Sequence, residues 1–303
     1  MAAKKAGTRE DIEINADGET IRGWLFRPPS SAKKTPCIVL GNGFSAVKEM
    51  GLADFAERFA AAGMAAIAFD FRNLGESDGS PRQELDPAKQ IEDLRHAITY
   101  ATMLPKIDPE RIGLWGTSYS GGHSLVIGGT DRRIKCVVVQ MPTISGHWSG
   151  LRRLPMDMIP AVTAALAEDR VRRMRGEGST MRPIIGELDE HPIYETGDVR
   201  EFFDKYAVNI PTWGNEVTLR TLEYARAYEP GAYIEFISPT PFLMIVGQRD
   251  TLTCYDLQLE AYNRALEPKK LVLLKGGHFT CYDDEFEAAC SAAVDWFTTH
   301  LFA

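Results

Sequence analysis

Short apolar runs alternate with segments of helical spacing along most of the chain, and this alternation predicts its organisation. Asp11–Ile14 and Ile21–Phe26 read as two short strands around Ala16-Asp17-Gly18, a turn sequence suited to an antiparallel hairpin. Cys37–Leu40 and Met64–Phe69 are apolar runs bounded by Gly or Pro, the pattern of strands buried on both faces of a parallel sheet. Between them Gly51–Ala62 carries Leu52, Phe55 and Phe59 at helical spacing. Asp86-Pro87 sets a cap residue before a proline at the first helical position. It opens an amphipathic helix through Ile91, Leu94 and Ile98 to Met103. Ile112–Trp115 and Cys136–Val139 repeat the buried-strand pattern with a helix between them. Phe242–Val246 and Lys270–Leu274 predict two further strands, and Glu285–Leu301 a closing helix.

Such repetition predicts an α/β protein with a doubly wound, mostly parallel sheet. The sheet pattern lapses between Thr143 and Ser238, where Ile159–Met174, Val199–Tyr206 and Val217–Tyr228 read as helices and no strand is evident. The expected division is a core of residues 1–142 and 239–303 with a helical lid of residues 143–238 inserted before the penultimate strand. Open α/β sheets bind ligands at the carboxyl ends of their strands, which is where such an insertion emerges. A helical domain lying away from the site is the competing reading.

Composition narrows the class. At 303 residues the chain is long for one domain, and 44% hydrophobic with 25% charged residues is ordinary for a globular protein. Lys plus Arg numbers 34 against 42 for Asp plus Glu, and the net charge of -8 opposes nucleic acid or an anionic membrane surface as partner. The longest uncharged apolar stretch, Phe59 to Phe69, is far short of the roughly 20 residues of a membrane helix. Met-Ala-Ala-Lys-Lys-Ala-Gly at the start has no apolar run behind it. It reads as neither signal peptide nor anchor, so a cytoplasmic location is expected. Five Cys without CxxC spacing suit reduced structural thiols, and no His, Asp and Glu stand at metal-ligand spacing. No cofactor is expected either, since no Gly-x-Gly-x-x-Gly follows the first parallel strand.

Candidate chemistry centres on Gly113-Leu-Trp-Gly116-Thr-Ser118-Tyr-Ser120-Gly121-Gly122, which joins a predicted strand to a predicted helix. A sharp turn of this kind strains its central residue and needs small residues two positions to either side, here Gly116 and Ser120. Ser118 is thereby the candidate nucleophile. A hydroxyl nucleophile needs a base, and His278 follows Leu-Val-Leu-Leu-Lys-Gly-Gly, just past the last predicted strand. His96 and His123 fall in predicted helices, His147 and His191 in the lid and His300 near the terminus, positions suited to packing or surface roles. Asp250, on the loop after the penultimate strand, is the candidate carboxylate that orients the base. Asp283 and Asp284 read instead as caps of the final helix, and Asp157 lies in the lid. Gly41-Asn42-Gly43-Phe44 follows the first parallel strand, and the amides of Phe44 and Tyr119 are the candidate oxyanion donors. An ordinary glycine-rich turn explains those glycines as well.

Taken together these residues resemble the α/β-hydrolase superfamily, over nearly the whole chain except the lid. Asp70-Phe-Arg72-Asn73-Leu-Gly75-Glu-Ser77-Asp-Gly79 is similar to the Asp-x-Arg-Gly-x-Gly-x-Ser turn after the fourth strand of such hydrolases, with Asn73 where glycine is usual. Asp70 and Arg72 are read as structural. Asn42 replaces the histidine often found before the oxyanion glycine. The phrase Asp108-Pro-Glu-Arg-Ile-Gly resembles the dienelactone-hydrolase-like and polyketide-processing branch. A serine nucleophile in place of cysteine or aspartate speaks against both the thiol site of true dienelactone hydrolases and the alkyl-enzyme route.

The resemblance implies a serine acyl hydrolase that cleaves an ester or thioester of a small to medium apolar molecule through an acyl-enzyme. In the lid, His147, Trp148, Trp213, Met156 and Met158 are candidates for an apolar substrate wall. Carbon–carbon cleavage of the retro-Claisen type and acyl transfer use the same triad and stay open, as does a non-enzymatic ligand receptor. A homodimer paired through the lid also stays open.

Overall fold

The computed structural model describes residues 7–29, 33–187, 190–194 and 197–302, so the first six residues, on which the leader reading rests, lie outside it. The chain opens with β1 (Thr8–Ala16) and β2 (Glu19–Arg27), an antiparallel hairpin at the sheet edge. Its turn residues Asp17 and Gly18 both have positive φ, 55° and 97°, the two-residue geometry that matches strand twist. Then follow β3 (Thr35–Gly41), α1 (Leu52–Ala61), β4 (Ala65–Phe69), α2 (Pro87–Met103), β5 (Ile107–Thr117), α3 (Ser118–Thr130) and β6 (Ile134–Gln140).

Between β6 and the next sheet strand lies the insertion: α4 (Gly146–Arg153), α5 (Ile159–Met174), β7 (Met181–Pro183), α6 (Gly197–Tyr206), β8 (Glu216–Thr218) and α7 (Leu219–Arg226). It is not all-helical, as the sequence pattern suggested. β7 and β8 pair antiparallel in a small second sheet, and Val217 and Thr218 belong to a strand instead of the following helix. Strands of three residues are too short to show a period, and that is why the pattern missed them. The sheet resumes with β9 (Phe242–Gly247), α8 (Tyr255–Arg264), β10 (Lys269–Leu274) and α9 (Phe286–Leu301).

The main sheet has eight strands in the order β1-β2-β4-β3-β5-β6-β9-β10, parallel from β4 to β10. Strict alternation sorts its side chains. Cys37 and Val39, Ile67, and Val137 and Val139 face one core, while Ile38 and Leu40, Ala66 and Ala68, and Cys136 and Val138 face the other. α1 and α9 cover the second face with Phe55, Phe59 and Phe297; α2 and α3 cover the first with Leu94, Ile98 and Leu125. Asp86 caps α2 by accepting the Ala88 amide at 2.9 Å, as its position before Pro87 predicts. All five Cys are buried and free, and burial pushes the Cys37 thiol up to about 12.

The loop after β4 is tied down by charge. Asp70 accepts the Lys48 amide at 2.7 Å, the Glu76 amide at 3.0 Å and the Lys48 ammonium at 2.9 Å. Arg72 donates through Nε to Asp93 of α2 at 2.6 Å, and Asp93 also accepts the Arg72 amide. Asn73 has φ 70°, the left-handed conformation that makes glycine usual at that position and that Asn tolerates better than most residues. Glu49, Asp70 and Glu76 bring carboxylate oxygens together as a metal site would, a convergence absent from their sequence spacing. The Lys48 ammonium already stands among them, 2.7 to 2.9 Å from each.

Removing that ammonium leaves Asp70 as an uncompensated buried charge. Lys48→Met is expected to cost about 3–5 kcal/mol in urea unfolding. Arg58→Ala, at the exposed pair with Glu287, should cost about 1 kcal/mol or less. Equal losses would show that the buried cluster carries no special weight.

Candidate active site

Ser118 sits at the junction of β5 and α3 with φ 55°, a conformation that a residue with a side chain rarely adopts. The turn closes only because its neighbours are small. A methyl on Gly116 would overlap the Ser120 carbonyl oxygen, and one on Gly41 would fall 2.7 Å from Ser120 Cβ. Ser120 is fully buried and its hydroxyl donates to the Asn42 carbonyl, which ties the turn to the loop after β3.

His278 and Asp250 reach this serine from the loops after β10 and β9. Ser118 Oγ lies 2.9 Å from His278 Nε2, and His278 Nδ1 lies 2.9 Å from Asp250 Oδ2. Asp250 is 2% exposed and His278 3% exposed, so the pair is shielded from water. Burial works against the Asp250 charge. The imidazole beside it, the Thr253 hydroxyl at 2.7 Å and the Leu252 and Thr253 amides at 2.9 and 3.0 Å outweigh that cost and hold its carboxyl down to about 2. Gln258 Nε2 donates to the same oxygen at 3.0 Å. Neither Thr253 nor Gln258 stands out in the sequence; their spacing of three and eight residues from Asp250 acquires meaning only once the loop folds into α8.

The loop after β3 passes close over the serine. A Cβ on Gly43 would lie 3.4 Å from Ser118 Cβ, and Phe44 and Tyr119 line a cavity together with Ser118. Asn42 supports this loop with both ends of its amide: Oδ1 accepts the Gly43 amide at 2.9 Å, and Nδ2 donates to the Val47 carbonyl.

Two spaces open from Ser118. One is a slot of about 30 Å³ walled by Phe44, Val199, Phe202, Phe203, Phe279 and Tyr282, with Ser118 and His278 at its floor. The other, about 50 Å³, holds Ser118 and Tyr119 and shares Gly146, Arg153, Ile193, Tyr194, Leu222, Ala225 and Leu252 with a chamber of about 550 Å³ under the insertion.

Comparison with known proteins agrees with this architecture. The sequence model of the X-Pro dipeptidyl-peptidase (S15) family matches residues 17–280. A thiohydrolase of Eupenicillium brefeldianum is 30% identical over 92% of this chain and 90% of its own length. A polyketide transferase of Stachybotrys chlorohalonatus is 32% identical over 92% of each. The crystal structure of the α/β hydrolase GrgF from Penicillium sp. sh18 superposes with a TM-score of 0.85 at 26% identity, covering 98% of this chain and 100% of that one. The chain belongs to the S15 family of α/β-hydrolases. Within the superfamily it lies in the polyketide-processing branch.

In this S15 protein the structure brings Ser118, His278, Asp250, Phe44 and Tyr119 into one site, and it distributes the other candidates differently. Met158 lines the large chamber. Trp213 stands one layer behind the slot, stacked on Phe203 at 5.2 Å and donating to the Ser45 carbonyl at 3.1 Å. Trp148 and Met156 are corrected: at 55% and 86% exposed they face solvent and line none of these cavities. His147 is likewise exposed and packs edge-on against Trp148. Apolar character marked these residues, but His147 and Trp148 lie on an eight-residue helix and Met156 in a three-residue turn beyond it, elements with little or no buried face to direct them inward. The slot is walled instead by Phe202 and Phe203 of α6 and by Phe279, next to His278 in sequence.

Asp283 and Asp284 do not cap α9. Its cap position is Glu285, whose carboxylate turns back to accept the Lys275 and Gly276 amides, and Asp283 pairs with Lys205. His123 is buried under the turn between Tyr228 and Gln90, and burial pushes its pKa down to about 3, which keeps it neutral. No helix among the described residues is long and apolar enough to cross a membrane.

The depressed Asp250 pKa has a stability consequence. A carboxyl that titrates lower folded than unfolded stabilises the fold above its unfolded value near 3.9 and loses that contribution as pH falls toward about 2. The stability of the native protein relative to Asp250→Asn should therefore fall by roughly 2 kcal/mol between about pH 5 and pH 2. Parallel pH curves in chemical denaturation would mean that the carboxylate gains nothing from its surroundings.

Proposed function

We propose that the protein is a serine acyl hydrolase acting on a thioester or ester. The observation that carries this reading is the unbroken hydrogen-bond chain from Ser118 Oγ through His278 to Asp250, at a serine held with φ 55° over the sheet. Ser118 Oγ attacks the carbonyl carbon as His278 Nε2 takes its proton. The tetrahedral oxyanion is met by the Phe44 and Tyr119 amides, whose loops converge on the serine. Collapse breaks the bond to the leaving group, which departs with the proton from the imidazolium. A water molecule, deprotonated by His278, then attacks the acyl-serine and releases the acid and the free enzyme. Asp250 stays ionised throughout, orienting the ring and stabilising its charge.

A thioester is favoured over an amide because its leaving thiolate needs little protonation, and the relatives include proteins named thiohydrolases. Others are named polyketide transferases and an acyltransferase, which favours one second reading: an acceptor hydroxyl replacing water at the acyl-serine. The aromatic slot of about 30 Å³ supports a short acyl group, or one that opens the Phe202–Phe203–Phe279 cluster.

Treatment with a fluorophosphonate should add one adduct to the intact protein mass, and Ser118→Ala should abolish it. Asp250→Asn should lower thioester turnover by about 10⁴-fold while leaving the protein folded. Absence of the adduct on the native protein would refute the nucleophile. With acceptor alcohols present, a new ester in the products in place of free acid would decide for transfer.

A further inference from the structure

The chamber of about 550 Å³ has an unusual charge for a protein whose net charge is -8. Among the described residues Arg152, Arg153, Arg182, Arg226 and His191 line it, and no Asp or Glu does. Arg152 is neutralised by Asp256, 2.6 and 2.7 Å away. Among the described residues the other three guanidiniums have no carboxylate partner. Arg153 donates to the Leu252 carbonyl and lies 5.5 Å over the Tyr194 ring; Arg182 donates to the His191 carbonyl at 2.9 Å. Arg226 has no hydrogen bond or ion pair among the described residues. These cations come from α4, β7 and α7, so the fold gathers them into one chamber although the sequence scatters them.

A one-sign cavity concentrates oppositely charged ligands, and guanidinium is the side chain best matched to phosphate. The chamber reaches Ser118 through the smaller space that shares its lining, and Tyr194 and Leu252 stand between these spaces and the aromatic slot as common walls. Its size suits a ligand arm of many atoms. The two routes to Ser118 are thus chemically unlike: one short and apolar, one wide and cationic.

We propose that the chamber receives the leaving arm of the thioester, a pantetheine chain whose 4′-phosphate is bound by Arg153, Arg182 and Arg226. This rests on the reading of Ser118 as the nucleophile of a thioester hydrolase or transferase. Coenzyme A and a carrier protein both carry this arm, and the phosphate is their shared feature. In the reaction the Ser118 Oγ–acyl bond forms, the acyl–sulfur bond breaks, and the thiol leaves with the proton from His278 while its phosphate stays paired.

Calorimetric binding to Ser118→Ala protein tests the chamber without requiring turnover. 4′-Phosphopantetheine should bind at least about tenfold more tightly than pantetheine, and Arg226→Gln in that background should bring the ratio close to one. Arg226→Lys, which keeps the charge and loses the fork, should give an intermediate ratio, with thermal melting verifying that each variant is folded. Equal affinity for the two ligands, or a ratio unchanged by Arg226→Gln, would overturn the proposal. So would a carboxylate-terminated acyl ester whose advantage over its neutral counterpart depends on Arg226, since the chamber would then read the acyl group. Turnover of one acyl group on coenzyme A and on a carrier protein identifies the source, and preference for either supports the phosphate site. Fluorophosphonate capture of the native protein, run alongside, separates failure of the nucleophile from failure of the chamber.

Discussion

The left-handed backbone of Ser118 is the constraint on which the rest of the site depends. A serine at φ 55° is disfavoured on its own and persists because β5 on one side and α3 on the other over-determine it. The close contact of Gly116 with the Ser120 carbonyl lets the helix start directly against the strand. The Ser120 hydroxyl then fixes the Asn42 carbonyl, and Asn42 in turn holds the Gly43 amide and the Val47 carbonyl. One strained torsion thus sets both the height of the serine oxygen and the path of the loop that crosses it.

Electrostatics in the core separates structural charge from site charge. Asp70 and Asp250 are both buried carboxylates at the ends of parallel strands, yet their partners differ. Asp70 faces an ammonium that cannot move, and the pair locks the loop after β4. Asp250 faces an imidazole whose other nitrogen meets a hydroxyl, so its charge can respond to a proton arriving on the ring. The Thr253 hydroxyl and two backbone amides add to the imidazole in holding the Asp250 carboxyl down against its burial.

What was legible in the sequence follows from how local the signal is. Ser118 announces itself because a buried strand, small flanking residues and a helix start lie within ten positions, and Asp250 and His278 because each follows an apolar run by a few residues. The apolar runs of β3, β4 and β6 made the sheet legible, since strands buried on both faces read as nearly continuous hydrophobic stretches. The insertion was less legible. Its strands β7 and β8 have three residues each and are defined by each other, 35 positions apart in the pairing of Arg182 with Val217. Trp148 and Met156 read as an apolar substrate wall from their chemistry alone, and only the packed structure shows them facing outward. The arginine chamber is the extreme case, because its arginines stand at positions 152, 153, 182 and 226 with nothing in the sequence to join them.

Core and insertion therefore divide the work in a way that follows from their physics. Ser118, His278 and Asp250 stand at the ends of parallel strands, and each is held by hydrogen bonds within the core. The insertion supplies Val199, Phe202 and Phe203 to the slot and Arg153, Arg182 and Arg226 to the chamber. It is tied to the core at many points, among them Trp213 to Ser45, Thr218 to Gln83, Arg152 to Asp256 and Tyr228 to His123. Its side chains therefore form walls of both spaces that open from Ser118. A partition of this kind fits relatives of which one is named a thiohydrolase and another a polyketide transferase, each matching over 92% of this chain, core and insertion alike.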